Sequence, residues 1–291
     1  MSDRVDVALR RPAVSVLLAA YRAGATIGRA VRSVLAQSRS DWELLVVSDD
    51  GTDYRPSLPP DPRIRFLDSG GVARGPSVAR NAALRVARGE WITVLDADDW
   101  WHAAKLERLL ELARHDGIAF DNILRWDDAH DAPRGPLLPD SPPDPRRVDF
   151  WDIAAVNHPL FPLIHRDWVR PFDPAVDFAE DVLFNLGALA RAGGAAWLCP
   201  EPLHVYRVRA DSLSHRPDAG RRAEAAYRRI LTRLAEGESL GFPPAFRDAA
   251  HTVFEAKRAA NRSFLASGAA EFTAFSLPLA RPTGAPPRRG A

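Results

Sequence analysis

Short apolar runs alternate with helix-like segments between residues 14 and 124, and this alternation constrains the fold more than any other feature. The apolar runs have the length of strands and cover residues 14–20, 43–47, 63–67, 91–95 and 118–124. Strands that alternate with helices are typical of a parallel sheet with crossover helices on its faces. We therefore predict an α/β fold with a mostly parallel central sheet flanked by helices.

Caps and apolar spacing predict where the intervening helices begin and end. The first helix follows Thr26, a candidate N-cap, and the second opens at Pro76, where a first-turn proline is tolerated. Gly89 is the expected stop of that second helix. A third helix carries an apolar stripe from Leu106 to Ala113.

The regular pattern is interrupted by six prolines in the seventeen residues 131–147. Proline opposes regular structure, so we expect a linker or a loop over a site there. A helix at about 180–192 and strands near 195–199 and 204–208 are predicted next, followed by charged helices at 221–235 and 244–265. The Pro- and Arg-rich residues 278–291 are expected to be a disordered tail.

Composition excludes several classes of function. The 39 basic and 38 acidic residues give a net charge of +1, so bulk electrostatics do not indicate a nucleic-acid partner. The single cysteine, Cys199, excludes an intramolecular disulfide and a cysteine-based zinc site, and it fits a reducing cytoplasm. No apolar stretch approaches a membrane span, so we expect a cytoplasmic protein whose membrane contact, if any, is peripheral.

Three carboxylates, Asp96, Asp98 and Asp99, directly follow the apolar run 91–95. Carboxylates at the end of a buried strand are costly unless a cation offsets them, so this pattern favours a metal or nucleotide site. The plain alternative is that Asp98 or Asp99 caps a helix starting near Trp100.

A second acidic segment, residues 48–53, follows the strand 43–47 and contains Asp49 and Asp50. The carboxyl ends of parallel strands meet at one crevice, so we expect both acidic segments to face the same cleft. Taken alone, the second segment also fits an ordinary turn. Tyr21 ends the first strand and can stack on a base or cover the sheet edge, and Arg80 can hold an anion or lie on a solvated helix face.

Several ordered blocks resemble family 2 glycosyltransferases. They are Val14-Ser-Val-Leu-Leu-Ala-Ala-Tyr21, Ala30-Val-Arg-Ser-Val-Leu-Ala-Gln37, Trp42-Glu-Leu-Leu-Val-Val-Ser-Asp-Asp-Gly51, Ser77-Val-Ala-Arg-Asn-Ala-Ala-Leu84 and Arg88-Gly-Glu-Trp-Ile-Thr-Val-Leu-Asp-Ala-Asp-Asp99. The resemblance covers residues 14 to about 110. It implies a GT-A (Rossmann-like) fold and an enzyme that inverts the anomeric carbon of a nucleotide-activated sugar.

The resemblance also implies roles for particular residues. Asp96 and Asp98 would form the DxD motif, with Asp98 binding Mn²⁺ or Mg²⁺ and Asp96 lying near both the ribose and the metal. Tyr21 and the Asp49/Asp50 pair would hold the base, with the choice between the two carboxylates open. The implied nucleotide-binding residues together are Ala19, Tyr21, Asp49, Asp50, Arg80 and Asp96.

Inverting transfer needs a base that deprotonates the acceptor hydroxyl. The segment Phe178-Ala-Glu-Asp-Val-Leu-Phe184 resembles the family's Glu-Asp segment at a helix start, so we assign the base to Asp181, with Glu180 orienting the acceptor. Two acids in a first helical turn also complement the helix dipole without any catalytic role.

The resemblance divides the chain into a GT-A domain at 12–216, with a donor-binding half at 12–124 and an acceptor half at 125–216, and a helical C-terminal extension at 217–277. The Gln-x-x-Arg-Trp motif of processive synthases is absent, which favours transfer of a single sugar. The expected donor is a nucleotide sugar, most simply a UDP-sugar. The expected acceptor is a saccharide or lipid-linked hydroxyl in polysaccharide synthesis.

Two other classes of protein remain open from the sequence. A phosphatase of the haloacid-dehalogenase type also places Asp-x-Asp after an apolar strand, although its motif normally lies near the N-terminus. A non-catalytic sugar-nucleotide-binding protein would keep the fold with a degenerate site, against which the intact Asp96, Asp98 and Asp181 argue.

Overall fold

A computed structural model describes residues 11–156, 158–209, 212 and 216–267 of the 291-residue chain. The strands are β1 Val14–Ala20, β2 Trp42–Ser48, β3 Ile64–Asp68, β4 Trp91–Val94, β5 Trp100–Trp101, β6 Ile118–Asp127, β7 Ala132–Pro136, β8 Arg146–Asp149, β9 Leu163–His165 and β10 Ala195–Val208. The α-helices are α1 Ile27–Leu35, α2 Pro76–Val86, α3 Lys105–Asp116, α4 Phe150–Ala154, α5 Glu180–Arg191, α6 Ala219–Ala235 and α7 Arg247–Ser267.

One sheet runs through the molecule in the order β3-β2-β1-β4-β9-β6-β10-β5, with β7 on β6 and β8 on β10. The first four strands of this order are parallel to one another, as are β6 and β10. The short strand β9 pairs antiparallel with both β4 and β6 and joins the two parallel sets. The predicted α/β class is confirmed, with antiparallel pairing concentrated in the second half.

Helices cover both faces of the sheet because side chains alternate between the faces along each strand. Val16 and Leu18 of β1 pack with α1 and α3, whereas Leu17 packs with α2 on the opposite face. The second face also buries residues of α4, α5, α6 and α7 in the same core. The two C-terminal helices therefore share their core with the sheet and with α5.

Gly89 does not end a helix, contrary to the prediction. Helix α2 stops at Val86, and Gly89 lies beyond it against β1, where an added Cβ would be 2.5 Å from the Ser15 backbone nitrogen. The Gly89 N–H donates to the Ser15 hydroxyl at 2.8 Å. Glycine is needed here for a close backbone approach rather than for a helix cap.

The proline-rich segment 131–147 contains regular structure, contrary to the prediction. Strand β7 pairs antiparallel with β6, and β8 begins at Arg146 and pairs with β10. Among the described strands β7 pairs with β6 alone, so it lies at a sheet edge, where a missing proline N–H is tolerated. The two strands predicted at 195–199 and 204–208 are a single strand, β10, with register shifts around Pro202.

The last helix begins three residues later than expected, after a short 3-10 turn at Pro244–Phe246. Among the described residues no helix is long and apolar enough to cross a membrane. The expected disordered tail at 278–291 lies outside the described residues, as does the end of the expected extension.

Candidate active site

The two carboxylates that follow β2, Asp49 and Asp50, have different environments and different hydrogen-bond partners. Asp49 is buried, and its carboxylate accepts hydrogen bonds from the backbone N–H groups of Arg74 (3.0 Å) and Gly75 (2.9 Å). These bonds fix the loop that leads into α2. Asp50 is half-buried and lies beside the end of β1, where its carboxylate accepts from the backbone N–H of Arg22 at 2.5 Å.

Asp50 is held as a carboxylate by several donors. The Tyr54 hydroxyl donates to it at 2.7 Å and the Thr52 N–H at 2.9 Å. Burial alone would raise the pKa of Asp50, but these hydrogen bonds outweigh burial and lower that pKa well below its usual value. Sequence reasoning missed Tyr54, whose only signal was its position just after the acidic turn.

Tyr21 precedes Arg22, whose N–H binds this carboxylate, and 45% of the surface of Tyr21 is exposed. The guanidinium of Arg22 lies 5.2 Å from the centre of the Tyr21 ring. Ala19 lies in β1 opposite Val47 and packs against the core. The exposed ring of Tyr21 can therefore stack on a planar ligand, while Ala19 offers only its backbone and a methyl group.

Arg80 connects the acidic turn after β4 to the start of α5. One guanidinium nitrogen donates to Asp96 at 2.6 Å, and the other donates to Glu180 at 2.9 Å. Arg80 is 5% exposed, so the alternative of a solvated helix face is wrong. Its guanidinium also lies 5.4 Å from the centre of the Phe172 ring. The structure thus brings Arg80, Asp96 and Glu180 into one cluster.

Asp98 lies between Asp96 and Asp99 in the acidic turn, and its side chain is 29% exposed. Burial and the neighbouring charges of Asp99 and Asp96 raise the pKa of Asp98 to about 7, against the opposing effect of Arg209. An Arg209 guanidinium nitrogen lies 3.2 Å from an Asp98 carboxylate oxygen. Crowded carboxylate oxygens fit a hard divalent cation such as Mg²⁺ or Mn²⁺, which relieves their mutual repulsion.

Asp99 is not a helix cap, contrary to the sequence interpretation. Residues Trp100 and Trp101 form strand β5, and the next helix begins at Lys105. Asp99 is buried and accepts from the Arg207 N–H at 2.9 Å, with its other oxygen 2.8 Å from Nε2 of His204. It therefore joins the acidic turn to β10.

A third residue, Trp101, determines which atom carries the proton between His204 and Asp99. The Trp101 indole N–H donates to Nδ1 of His204 at 3.1 Å, so Nε2 carries the imidazole proton and donates to Asp99. Burial, together with the charge of Lys105, lowers the pKa of His204 to about 3, which keeps the ring neutral. This buried histidine supports the site and does not approach it as a metal ligand.

Asp181 lies in the first turn of α5, next to Glu180. Burial and the charge of Glu180 raise the pKa of Asp181 to about 7, although Arg80 lowers it. A carboxylate with a pKa near neutrality can both accept and release a proton at physiological pH. Asp181 follows Glu180 directly in the chain and lines a small pocket together with Arg80, so it lies beside the cluster of Arg80, Asp96 and Glu180.

The charge of Asp181 also acts on two groups outside the predicted site residues. They are Tyr227 of α6 and Lys257 of α7, both buried. A signal for Lys257 was present in the sequence, because Ala250, Val253, Phe254 and Lys257 recur at helical spacing on one buried stripe. Sequence reasoning took this helix only as a charged extension.

Within the part of the chain that the structure describes, no group of three or more His, Cys, Asp or Glu side chains forms a ready metal-binding cluster. A cation at this turn would have Asp96 and Asp98 as its protein ligands, and further ligands would come from a substrate or from water. This ligand set fits a cation that keeps open coordination positions.

Comparison with known proteins gives a consistent family assignment. A family model described as glycosyl transferase family 2 matches residues 15–169, more than half of the chain. The succinoglycan biosynthesis protein ExoO of Rhizobium meliloti is 34% identical over 70% of this chain and 63% of its own length. The Escherichia coli enzyme WfgD, a UDP-Glc:α-D-GlcNAc-diphosphoundecaprenol β-1,3-glucosyltransferase, is 39% identical over 37% of this chain and 43% of its own length. The chain thus spans less than two thirds of either relative.

Solved structures share the fold at low identity. TarS residues 1–349 of S. aureus, in complex with UDP, superposes with a TM-score of 0.60 at 17% identity, covering 84% of this chain and 71% of its own. The mannosyltransferase PcManGT of Pyrobaculum calidifontis, in complex with GDP-Man and Mn²⁺, gives a TM-score of 0.53 at 18% identity and covers 92% of this chain and 79% of its own. Both likenesses support the GT-A-like architecture of the sheet and helices.

Proposed function

The chain belongs to glycosyl transferase family 2, and we propose that it transfers a single sugar from a nucleotide sugar to an acceptor hydroxyl, with inversion and with the help of a divalent cation. The observation that carries the proposal is the Arg80 bridge. It holds Asp96 of the DxD turn and Glu180, the neighbour of Asp181, in one cluster around the buried guanidinium of Arg80.

We assign the donor side of the reaction to the turns after β2 and β4. Tyr21 would stack on the base while Asp50, held ionised by its donors, accepts a hydrogen bond from it. The backbone N–H bonds that Asp49 already accepts favour Asp50 for this contact. A cation held by Asp98 and Asp96 would supply charge neutralisation for the leaving diphosphate.

On the acceptor side, Asp181 takes the proton of the attacking hydroxyl. The acceptor oxygen then forms its bond to the anomeric carbon as the bond to the nucleoside diphosphate breaks, so the configuration inverts. A base with a pKa of about 7 is suited to this step at neutral pH. Glu180, already paired with Arg80, is placed to orient the acceptor.

The donor is proposed to be a UDP-sugar and the acceptor a saccharide or lipid-linked hydroxyl in polysaccharide synthesis. The names of the relatives support this class, since one carries UDP-Glc and a diphosphoundecaprenol acceptor in its name. A lipid-linked acceptor would be met by peripheral contact with a membrane. Family membership leaves the phosphatase and non-catalytic alternatives without support.

A thermal-shift panel of UDP- and GDP-sugars, with and without Mn²⁺, tests the donor assignment. A cognate donor stabilises the folded state by about 2.7 kcal/mol at a hundredfold excess over its Kd. We expect a Mn²⁺-dependent shift that Asp98→Asn abolishes. Asp116→Asn, which alters an ion pair with Arg147 away from the cluster, is the matched control and should keep the shift.

A turnover assay distinguishes a glycosyltransferase from a non-catalytic sugar-nucleotide-binding protein. Asp181→Asn should bind the donor as the wild type does but lose transfer, measured as nucleoside diphosphate release in the presence of acceptor glycans. A protein that binds the sugar nucleotide yet never releases diphosphate would be the non-catalytic class. Absence of any shift for every nucleotide sugar would contradict the proposed function.

A further inference from the structure

A cavity of about 530 Å³ lies along helix α5, and none of the carboxylates assigned to the candidate active site lines it. Its walls come from α5, from the segment 170–174 that precedes this helix, and from the connection between α6 and α7. Leu183 and Phe184 supply apolar surface, and Arg170 and Arg191 supply charge. Small-molecule sites have volumes of roughly 300–1,000 Å³, so this cavity has the size of a ligand site.

The arginines of this cavity differ in how the protein balances their charge. Arg233 of α6 is paired with Asp173 at 2.5 Å and with Glu238 at 2.6 Å. Arg170 and Arg191 have no carboxylate oxygen within 4 Å among the described residues, and their side chains donate to backbone carbonyl oxygens. The described residues therefore leave two positive charges of this cavity unbalanced.

The guanidinium of Arg191 is held in place at the end of α5. Its Nε donates to the Trp168 carbonyl oxygen at 2.7 Å, and its Nη1 donates to the Gly241 carbonyl oxygen. Two glycines leave room for it, because an added Cβ would lie 3.2 Å from Nη1 at Gly187 and 2.9 Å from it at Gly241. Nη2 has no acceptor among the described residues, so a preorganised donor is left for a ligand.

Arg170 brings a second positive charge to the same place. It is exposed, and its Nη1 donates to the carbonyl oxygens of Val169 at 2.8 Å and Asp167 at 3.1 Å. Both Arg170 and Arg191 also line an adjoining cavity of about 410 Å³. Burial and the charge of Arg170 lower the pKa of Arg191 to about 10. Binding backbone carbonyls explains the position of Arg191, but two like charges at one cavity repel each other unless an anion joins them.

We propose that Arg170 and Arg191 bind the phosphate group of a small phosphorylated molecule, at a site separate from the catalytic cluster. A phosphate monoester carries a charge of about −1.5 to −2 at pH 7, which matches two guanidinium groups better than a single carboxylate does. The apolar walls at Leu183 and Phe184 leave room for the rest of the molecule, such as a sugar ring.

This site is distinct from the one assigned to sugar transfer. Asp181 and Arg191 lie at opposite ends of α5, about 15 Å apart at 1.5 Å per residue. The phosphate site therefore does not depend on whether Asp181 is the catalytic base. It also lies beyond residues 15–169, the part that the family model matches.

Isothermal titration calorimetry with glucose 1-phosphate tests the site. EDTA is present, so that no divalent cation can hold a phosphate at Asp98. We expect the wild type to bind, and Arg170→Gln to bind roughly tenfold more weakly, the loss typical of one charged hydrogen-bonding group. Arg85→Gln removes an exposed arginine of α2 that does not line the cavity, so this matched control should bind as the wild type does.

A second variant changes the site without removing a charge. Gly187→Ala places a methyl group against Nη1 of Arg191 and should displace the guanidinium by a few tenths of an ångström. Alanine favours a helix over glycine, so this variant should stay folded while it binds glucose 1-phosphate more weakly. Urea unfolding verifies that each variant is folded. Unchanged affinity in both Arg170→Gln and Gly187→Ala would overturn the proposal, as would absence of binding by the wild type.

Further probes identify the group that is bound. Inorganic phosphate should compete with glucose 1-phosphate, and glucose should not bind. Equal affinity for glucuronate would overturn the assignment to phosphate. Co-sedimentation with phosphatidylglycerol vesicles, lost in Arg170→Gln and without binding of free phosphates, would mean that the partner is a lipid surface and that the small-molecule proposal is wrong.

The outcome is independent of the test of sugar transfer. If no nucleotide sugar gives a thermal shift but glucose 1-phosphate binds through Arg170, the proposed function fails and the phosphate site stands. If the Mn²⁺-dependent shift is found and Arg170→Gln has no effect on phosphate binding, the proposed function stands and the phosphate site fails.

Discussion

The ion pair between Arg80 and Glu180 should contribute measurably to stability, and the chain offers a matched control for this expectation. Arg108 and Glu201 form a pair with the same N–O distance of 2.9 Å. The two pairs differ in burial, since the side chains of Arg80 and Glu180 are 6% and 13% exposed, against 35% and 47% for the control. Distance is therefore held constant while solvent screening changes.

The expected magnitudes follow from this difference in burial. Exposed pairs couple by about 0.2–1 kcal/mol, whereas close and desolvated charge pairs couple by about 1.5 kcal/mol or more. We expect a coupling energy of about 2 kcal/mol for Arg80 and Glu180 and about 0.5 kcal/mol for the control. Arg80→Met alone should cost about 3 kcal/mol, the lower end for a broken buried pair, because Asp96 is 29% exposed and can be rehydrated.

The assay is a double-mutant cycle measured by urea unfolding. One cycle uses Arg80→Met and Glu180→Gln, and the other uses Arg108→Met and Glu201→Gln. Raising the salt concentration should weaken the exposed coupling more than the buried one. Equal coupling energies in the two cycles would refute the argument that burial gives the Arg80 bridge its strength.

Three further outcomes are expected. Gly89→Ala should lower the free energy of unfolding by about 1–3 kcal/mol, because the added Cβ would overlap the β1 backbone. Gly24→Ala, where an added Cβ meets open space, should change this free energy by no more than about 0.5 kcal/mol. Equal effects of the two substitutions in urea unfolding would contradict the close approach of Gly89 to β1. The ring of His204 should show no titration by NMR between pH 5 and 8, because its pKa of about 3 keeps it neutral throughout; a titration midpoint in that range would mean that the buried ring of His204 is protonated in the folded protein, contrary to the argument. Lys105→Met should cost about 3–5 kcal/mol because it leaves Asp121 buried without its partner, and a near-neutral result in thermal unfolding would mean that Asp121 is neutral or hydrated.

Strands β1, β2 and β4 were predictable because they are almost entirely buried on both faces. Val14–Ala20 matches its prediction at both ends, since parallel strands covered by helices on both sides leave little ambiguity of pattern. The prolines of 131–147 led to a wrong prediction of irregular structure, because whether a proline disrupts a strand depends on the position of that strand in the sheet. An edge strand tolerates them, and edge position is a property of the tertiary fold.

The site was only partly predictable for a related reason. Asp96 and Asp98 stood out by local pattern and Asp181 by family resemblance, whereas the contacts of Asp99 are with His204 and Arg207, more than a hundred residues away. The preference of aspartate for helix N-caps gave a wrong prediction for Asp99, because the chain continues from Asp99 as a strand. Likewise, Lys257 on an apolar stripe was visible, but its hydrogen bond to the Val156 carbonyl oxygen, about a hundred residues away, could not be identified without the packing of α7.

The Arg80 bridge also bears on when the site can form during synthesis. Arg80 and Glu180 are separated by 100 residues, so the ribosome must add that length after Arg80 before the bridge can close. At about 5–20 residues per second this takes roughly 5–20 s. During that interval the nascent chain holds the DxD turn and Arg80 but not the carboxylates of α5. A partly made chain therefore cannot join the turn after β4 to the start of α5 until residues 180–191 have been synthesised.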